Sequence, residues 1–128
     1  MAKRDSHGTE SRRKAHTHGL SAENFAAWYL RLTGWRILQQ RYKTKAGEID
    51  LIAKKRETVA FIEVKARKSR QAALEAVTPA SQKRIVRAAK IFVAEHPKAG
   101  FFTLRFDVMI IRPWALPERI VNAFEARD

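Results

Sequence analysis

The chain has 128 residues, 45% of them hydrophobic, enough for one domain around one core and too apolar for a disordered chain. It carries 26 Lys and Arg against 13 Asp and Glu, a net charge of +13, and no cysteine. These values exclude disulfides, thiolate catalysis and Cys-ligated zinc, and point to a polyanionic partner, nucleic acid first. No apolar run reaches the roughly eighteen residues of a membrane span, and no apolar signal core opens the chain, so the expected location is cytoplasmic, away from membranes.

Residues 1–18 are polar and basic without periodicity and read as a disordered tail. His16 and His18 form no metal site in such a segment. Residues 19–128 read as one domain. Ser21 reads as the N-cap of a helix from Ala22 to about Thr33, its apolar stripe being Ala22, Phe25, Ala26, Tyr29 and Leu32, its stop Gly34. Glu23 falls in the first turn, where the helix dipole favours a carboxylate. Trp35–Arg41 alternates as an outer strand, and Tyr42–Gly47 is a basic loop. Glu48–Ala53 and Val59–Arg67 are alternating apolar segments joined by the polar link 54–58, the pattern of a hairpin. Lys68–Leu74 has no periodicity and reads as a loop. Thr78-Pro79 caps and starts a helix to about Glu95, with Ile85, Ala88, Ala89 and Phe92 inward and Lys83, Arg84, Arg87 and Lys90 outward. Phe101–Ile111 is a strand with Asp107 as a candidate buried pairing residue. Pro113 and Pro117 frame a loop around Trp114, and Arg119–Phe124 is a short strand or turn. The sum is an α/β domain with a mixed sheet of four or five strands flanked by helices.

The hairpin holds the chemistry. With the turn centred between Arg56 and Glu57, Ile49, Leu51 and Ala53 face Val64, Ile62 and Ala60, a wholly apolar set. Arg-Glu is a poor tight-turn pair, so a longer loop is also compatible. The same register sets Asp50 opposite Glu63 and Glu48 opposite Lys65. Opposed like charges destabilise a sheet by up to roughly 1 kcal/mol; a divalent cation reverses the sign, since hard oxygen ligands are what Mg²⁺ binds. Asp50, Glu63 and the Val64 carbonyl can hold such an ion, with Lys65 as base or charge stabiliser for phosphodiester cleavage. The plainer alternative is a Glu48–Lys65 ion pair on a solvated face. Lys43, Lys45, Arg67, Lys68, Arg70, Lys83, Arg84 and Arg87 are the candidate DNA contacts.

Gly47-Glu48-Ile49-Asp50-Leu51-Ile52 and Phe61-Ile62-Glu63-Val64-Lys65-Ala66-Arg67 together resemble the YraN-type family of small bacterial proteins. Weaker matches are Glu23-x-x-Ala26-x-x-Tyr29-Leu30, Ala76-Val77-Thr78 and Arg105-Phe106-Asp107-Val108. The resemblance implies a restriction-endonuclease-like PD-(D/E)XK fold, similar to archaeal Holliday-junction resolvases. It implies one Mg²⁺ or Mn²⁺ site built from Glu23, Asp50, Glu63 and Lys65. In that family an Asn tends to stand where this chain has Arg41. The expected function is a metal-dependent endonuclease on DNA, branched or damaged DNA included. The alternative is a nucleic-acid-binding or protein-interaction module with a vestigial site. A homodimer is left open.

Overall fold

A computed structural model describes residues 21–126; the expected tail, residues 1–18, lies outside them. The described chain runs as a helix α1 (21–32), β1 (Arg36–Lys43), β2 (Glu48–Lys55), β3 (Thr58–Ala66), α2 (Arg70–Glu75), α3 (Pro79–Glu95), a 3-10 turn (Pro97–Phe101), β4 (Thr103–Ile111) and β5 (Glu118–Phe124). The five strands form one sheet in sequence order. All pairs are antiparallel except β3–β4, which is parallel and needs the crossover through α2 and α3.

Apolar side chains on the two sheet faces fix the layers. Leu51, Ala53, Ala60, Ile62 and Met109 pack with Ala26, Ala27 and Leu30 of α1 and with Trp35. Ile52, Val59, Phe61, Phe106, Val108 and Ile110 pack with Ile85, Val86, Ala88, Ala89 and Phe92 of α3. Phe92 meets Phe61 and Tyr42 edge-on, at ring separations of 5.9 and 5.4 Å. Each face of the sheet therefore has its own core, with the strands buried on both sides.

The α3 boundaries are those the sequence dictates. Thr78 accepts the Ser81 amide, Pro79 takes the first turn, and Pro97 follows the last. Gly34 takes φ 96° after α1, a conformation glycine adopts without strain. Several expectations need correction. Ser21 is already helical, so it is not the N-cap of α1. The buried stripe of α1 is Ala22, Ala26, Ala27 and Leu30, whereas Phe25, Trp28 and Leu32 are exposed. Small residues let the helix approach the sheet closely; larger rings at those positions would hold it off. Residues 70–75 form a helix rather than a loop, because the Ser69 hydroxyl accepts the Ala72 amide and caps it. The β2–β3 turn is the tight two-residue one, with Lys55 paired to Thr58 and Arg56 at φ 54° supplying the left-handed residue that glycine usually supplies.

Asp107 is fully buried and multiply bonded. Arg105 donates to it through Nε and a terminal nitrogen, at 3.0 and 2.9 Å. The Asn122 amide donates to the same carboxylate at 2.9 Å, where β5 is out of register with β4 and Asn122 has φ 57°. The carboxylate thus replaces backbone pairing at a bulge.

Candidate functional site

The hairpin register is as the apolar pattern requires over Leu51–Ile62 and Ala53–Ala60, but the ladder stops at Leu51–Ile62. Beyond it the Val64 amide donates to the side chain of Asp50, at 2.8 Å to Oδ2, in place of a β2 carbonyl. On the other side of β2, the pairs Gln40–Leu51 and Tyr42–Ile49 leave Arg41 opposite Asp50, and Arg41 has φ 55°. The sheet is thus irregular on both sides of Asp50. One result departs from strict alternation: Ile49 packs in the α3-side core with Ile52, not with Leu51.

Three carboxyls converge there. Asp50 is in hydrogen-bonding contact with both Glu23 of α1 and Glu63 of β3. Burial, the largest cause, pushes Asp50 up to about 6, and the neighbouring Glu23 charge adds to the rise; the Val64 amide opposes it. Burial likewise pushes Glu63 up to about 7, with the Asp50 charge adding and Lys65 opposing. Glu23 is raised by burial as well, against the pull of its Asp50 bond and of Arg41. Carboxyls gathered in this way hold protons more readily than isolated ones. Lys65 Nζ lies 3.1 Å from Glu63 Oε2, both side chains mostly covered, at 20% and 14% exposure. The ion pair of Lys65 is therefore with Glu63 along the strand. The expected Glu48 partner is instead Arg41, at 3.8 Å.

Do these residues suit a divalent cation? Oε1 of Glu23 is shut off from solvent and has no hydrogen-bond partner among the described residues. An orphaned acidic oxygen beside two further carboxyls is a donor set of the hard oxygen kind that Mg²⁺ takes. Both polar groups of an extended residue point to the same strand edge. The Val64 carbonyl therefore faces the same gap as its amide, where the ladder has ended. Among the described residues, no three acidic or imidazole side chains already stand in a finished cage. Asp50 instead accepts the Val64 amide, and Glu63 faces Lys65. The donor chemistry fits.

The candidate DNA contacts fall into two groups. Gly47 brings the β1–β2 loop against α3 so closely that an added Cβ would lie 3.0 Å from that of Arg84. This approach joins Lys43 and Lys45 to the exposed Lys83, Arg84 and Arg87 of α3. Arg67 and Lys68, also exposed, follow β3 directly after Lys65. Arg70 differs: its Nε donates to Glu118 at 2.7 Å, which ties α2 to β5. Sequence patterning assigned no place in the cluster to Arg41. Its role depends on a left-handed backbone that alternation does not encode, although Asn, the residue expected there, is one that tolerates this conformation.

Two surface hollows, of about 560 and 430 Å³, lie elsewhere, between α3 and the end of β5. The second is the more apolar, with Phe61, Val86, Val93, Leu104, Phe106 and Phe124 in its lining. Neither touches the carboxyls, whose place follows from hydrogen bonding rather than from concavity.

Residues 22–111 match the model of the uncharacterised protein family UPF0102. The chain belongs to this family. A UPF0102 protein of Bradyrhizobium diazoefficiens is 51% identical over 108 residues, covering 84% of this chain and 81% of that one. One from Agrobacterium fabrum is 48% identical over 116 residues, 91% of this chain and 95% of the relative. A third, from Rhodopseudomonas palustris, is 44% identical over 126 residues, 98% of each. The matched UPF0102 segment spans α1 to the end of β4, and so contains Glu23, Asp50, Glu63 and Lys65. No helix in the described residues is long and apolar enough to cross a membrane.

Proposed function

We propose that this UPF0102 protein is a Mg²⁺- or Mn²⁺-dependent endonuclease acting on DNA, with a restriction-endonuclease-like fold akin to that of Holliday-junction resolvases. The observation that carries the reading is the close approach of Asp50 and Glu63, both mostly covered, with Lys65 on Glu63, in a chain of net charge +13. Stability alone selects against opposed, mostly covered carboxyls, whereas sites commonly contain them. Asp50, Glu63 and the Val64 carbonyl would hold the ion, with Glu23 as a further acidic group beside Asp50. Bound there, the ion would offset charge developing on the phosphodiester and make water a better nucleophile. Lys65, held by Glu63, is positioned to stabilise charge on the attacked phosphate or to take a proton from water. Arg67, Lys68 and the Lys43–Lys45 and Lys83–Arg87 groups would hold the strand through its phosphates.

The test is purified protein with Mg²⁺ on linear, flapped and four-way DNA, beside Asp50→Ala. The expected result is cleavage that needs both the metal and Asp50. A protein that binds these DNAs and cuts none would favour the second reading, a binding or interaction module with a vestigial site. One observation favours that rival: Phe25 and Trp28 stack at 5.8 Å on the outside of α1, with Leu32 exposed one turn on, an apolar face suited to a partner or to a second copy.

A further inference from the structure

The β4–β5 loop carries a feature that the carboxyl chemistry does not use. Trp114 is fully exposed there, and Leu116 is largely so. An exposed apolar side chain is ordinary by itself. Three further observations set this one apart.

The first is the backbone. Trp114 has φ 58°, a conformation that bulky side chains rarely adopt. The second is the bracing of the loop. Pro113 precedes the tryptophan and Pro117, buried, follows it. Both Arg112 and Arg70 reach Glu118 at the start of β5, at 3.6 and 2.7 Å. The indole is thus held outward on a supported turn. The third is position. Lys65 lies beside Ile110 and Ala66 beside Ile111 in the parallel pair, and the Arg67 amide donates to the Ile111 carbonyl at 3.1 Å. Trp114 is three residues past Ile111, at the end of the sheet that carries Glu63 and Lys65. Trp114 is thus four residues past Ile110, the strand neighbour of Lys65. Around that end lie four cations, Arg67, Lys68, Arg70 and Arg112, of which Arg70 and Arg112 are paired with Glu118 and Arg67 and Lys68 are exposed.

An aromatic platform beside a cationic track is the composition that binds nucleic-acid strands: cations follow the phosphates and the ring takes a base face. A base inside a duplex has both faces covered by its neighbours. Only an unpaired base offers one. We propose that Trp114 is a stacking platform for an unpaired nucleobase of the bound DNA, which makes DNA with unpaired bases, rather than unbroken duplex, the substrate class. The inference rests on the nucleic-acid reading above and names what that reading leaves open.

The test is metal-free binding, by fluorescence anisotropy, of a labelled single strand, its full duplex and a duplex interrupted by unpaired bases. The proteins are wild type, Trp114→Ala and Trp114→Phe. Trp114→Ala is expected to weaken the single strand and the interrupted duplex about tenfold, roughly 1.4 kcal/mol and within the usual range for one stacked base. The full duplex should change by less than about twofold, and Trp114→Phe should retain most of the affinity, because its ring still stacks. Melting curves of all three proteins check folding. Equal affinities for wild type and Trp114→Ala on every DNA would overturn the stacking role and leave the nucleic-acid reading standing. An equal loss on all three DNAs would overturn it too, pointing to a contact blind to base pairing. A change in sedimentation with unchanged DNA affinity would assign the loop to a contact between copies. No binding of any DNA by wild type at low salt would sink both readings.

Discussion

The amide of Val64 is bonded to the side chain of Asp50 rather than to the backbone of β2. A carboxylate that accepts a backbone N–H is ordinarily made more acidic by it. Here burial and the neighbouring Glu23 outweigh that effect and the opposing pull of Glu63, and Asp50 rises to about 6. The strand end is open because a side chain has taken the place of a ladder bond.

A dependence of stability on pH follows. Asp50 and Glu63 keep protons in the folded state, to about 6 and about 7, that the unfolded chain releases near 4. A raised folded pKa gives stability that is fully present below the unfolded value and is lost as pH climbs through the folded one. Without divalent ions the melting temperature should fall between pH 5 and pH 8, a loss on the order of a few kcal/mol. Mg²⁺ or Mn²⁺ should restore it at pH 8, because a ligand for the folded state alone stabilises that state. Asp50→Asn should flatten the pH profile and remove the response to metal, as thermal melts in chelator and in millimolar metal would show. A wild-type melt unmoved by either ion would argue strongly against a working centre.

Lys65 separates catalysis from packing. Lys65→Ala should abolish single-turnover cleavage while leaving DNA affinity nearly unchanged, if the ammonium acts in the transition state. Removing it also takes away the cation that lowers Glu63, so the fall in stability with pH should shift to higher pH. An unchanged cleavage rate would refute its chemical role.

DNA affinity should drop steeply with salt. Each phosphate contact releases counterions, and the slope of log K against log salt counts them. Arg84→Ala should reduce that slope by about one. Arg70→Ala should reduce it less, because its guanidinium is already bonded to Glu118. Anisotropy titrations at several salt concentrations read both.

Gly47→Ala should destabilise the protein by about 1–3 kcal/mol. The new methyl would meet the Arg84 Cβ at 3.0 Å and its carbonyl oxygen at 3.3 Å, neither of them the yielding end of a side chain. Urea midpoints measure the cost. The same change should weaken DNA binding, since it separates Lys43 and Lys45 from the α3 cations.

Asp107→Ala should cost about 3–5 kcal/mol, the penalty for breaking a buried ion pair from one side. It leaves Arg105 without its carboxylate and the Asn122 amide without an acceptor. Hydrogen exchange should show β5 losing protection first, because that carboxylate anchors its bulge.

Much of this architecture could be read from residue order. Alternation in β2 and β3 set the Leu51–Ile62 register, and Thr78-Pro79 with Pro97 bounded α3. The failures have physical causes. In α1, hydrophobicity argued for Phe25 and Leu32 inside, whereas close packing on the sheet admitted alanines. In 70–75, a single serine cap outweighed the lack of periodicity. At Arg41 and Arg56, left-handed backbones sit on residues that do not advertise them. The opposition of Asp50 and Glu63 was legible; the splayed ladder and the free oxygen of Glu23 depended on tertiary contacts.

Asp50, Glu63 and Lys65 all lie on the β2–β3 hairpin, whereas β3 reaches β4 only through the long crossover 67–102. A hairpin is local in sequence and sets its own geometry. The crossover carries α3, packed on the sheet, but its exposed link 67–69 tolerates insertion cheaply, since doubling a flexible connection costs only about 0.6 kcal/mol in closure entropy. The two parts can therefore diverge at different rates. On the proposed function, the crossover and its α3 cations would be free to change while the hairpin carboxyls kept their spacing, and recognition would vary around one chemistry.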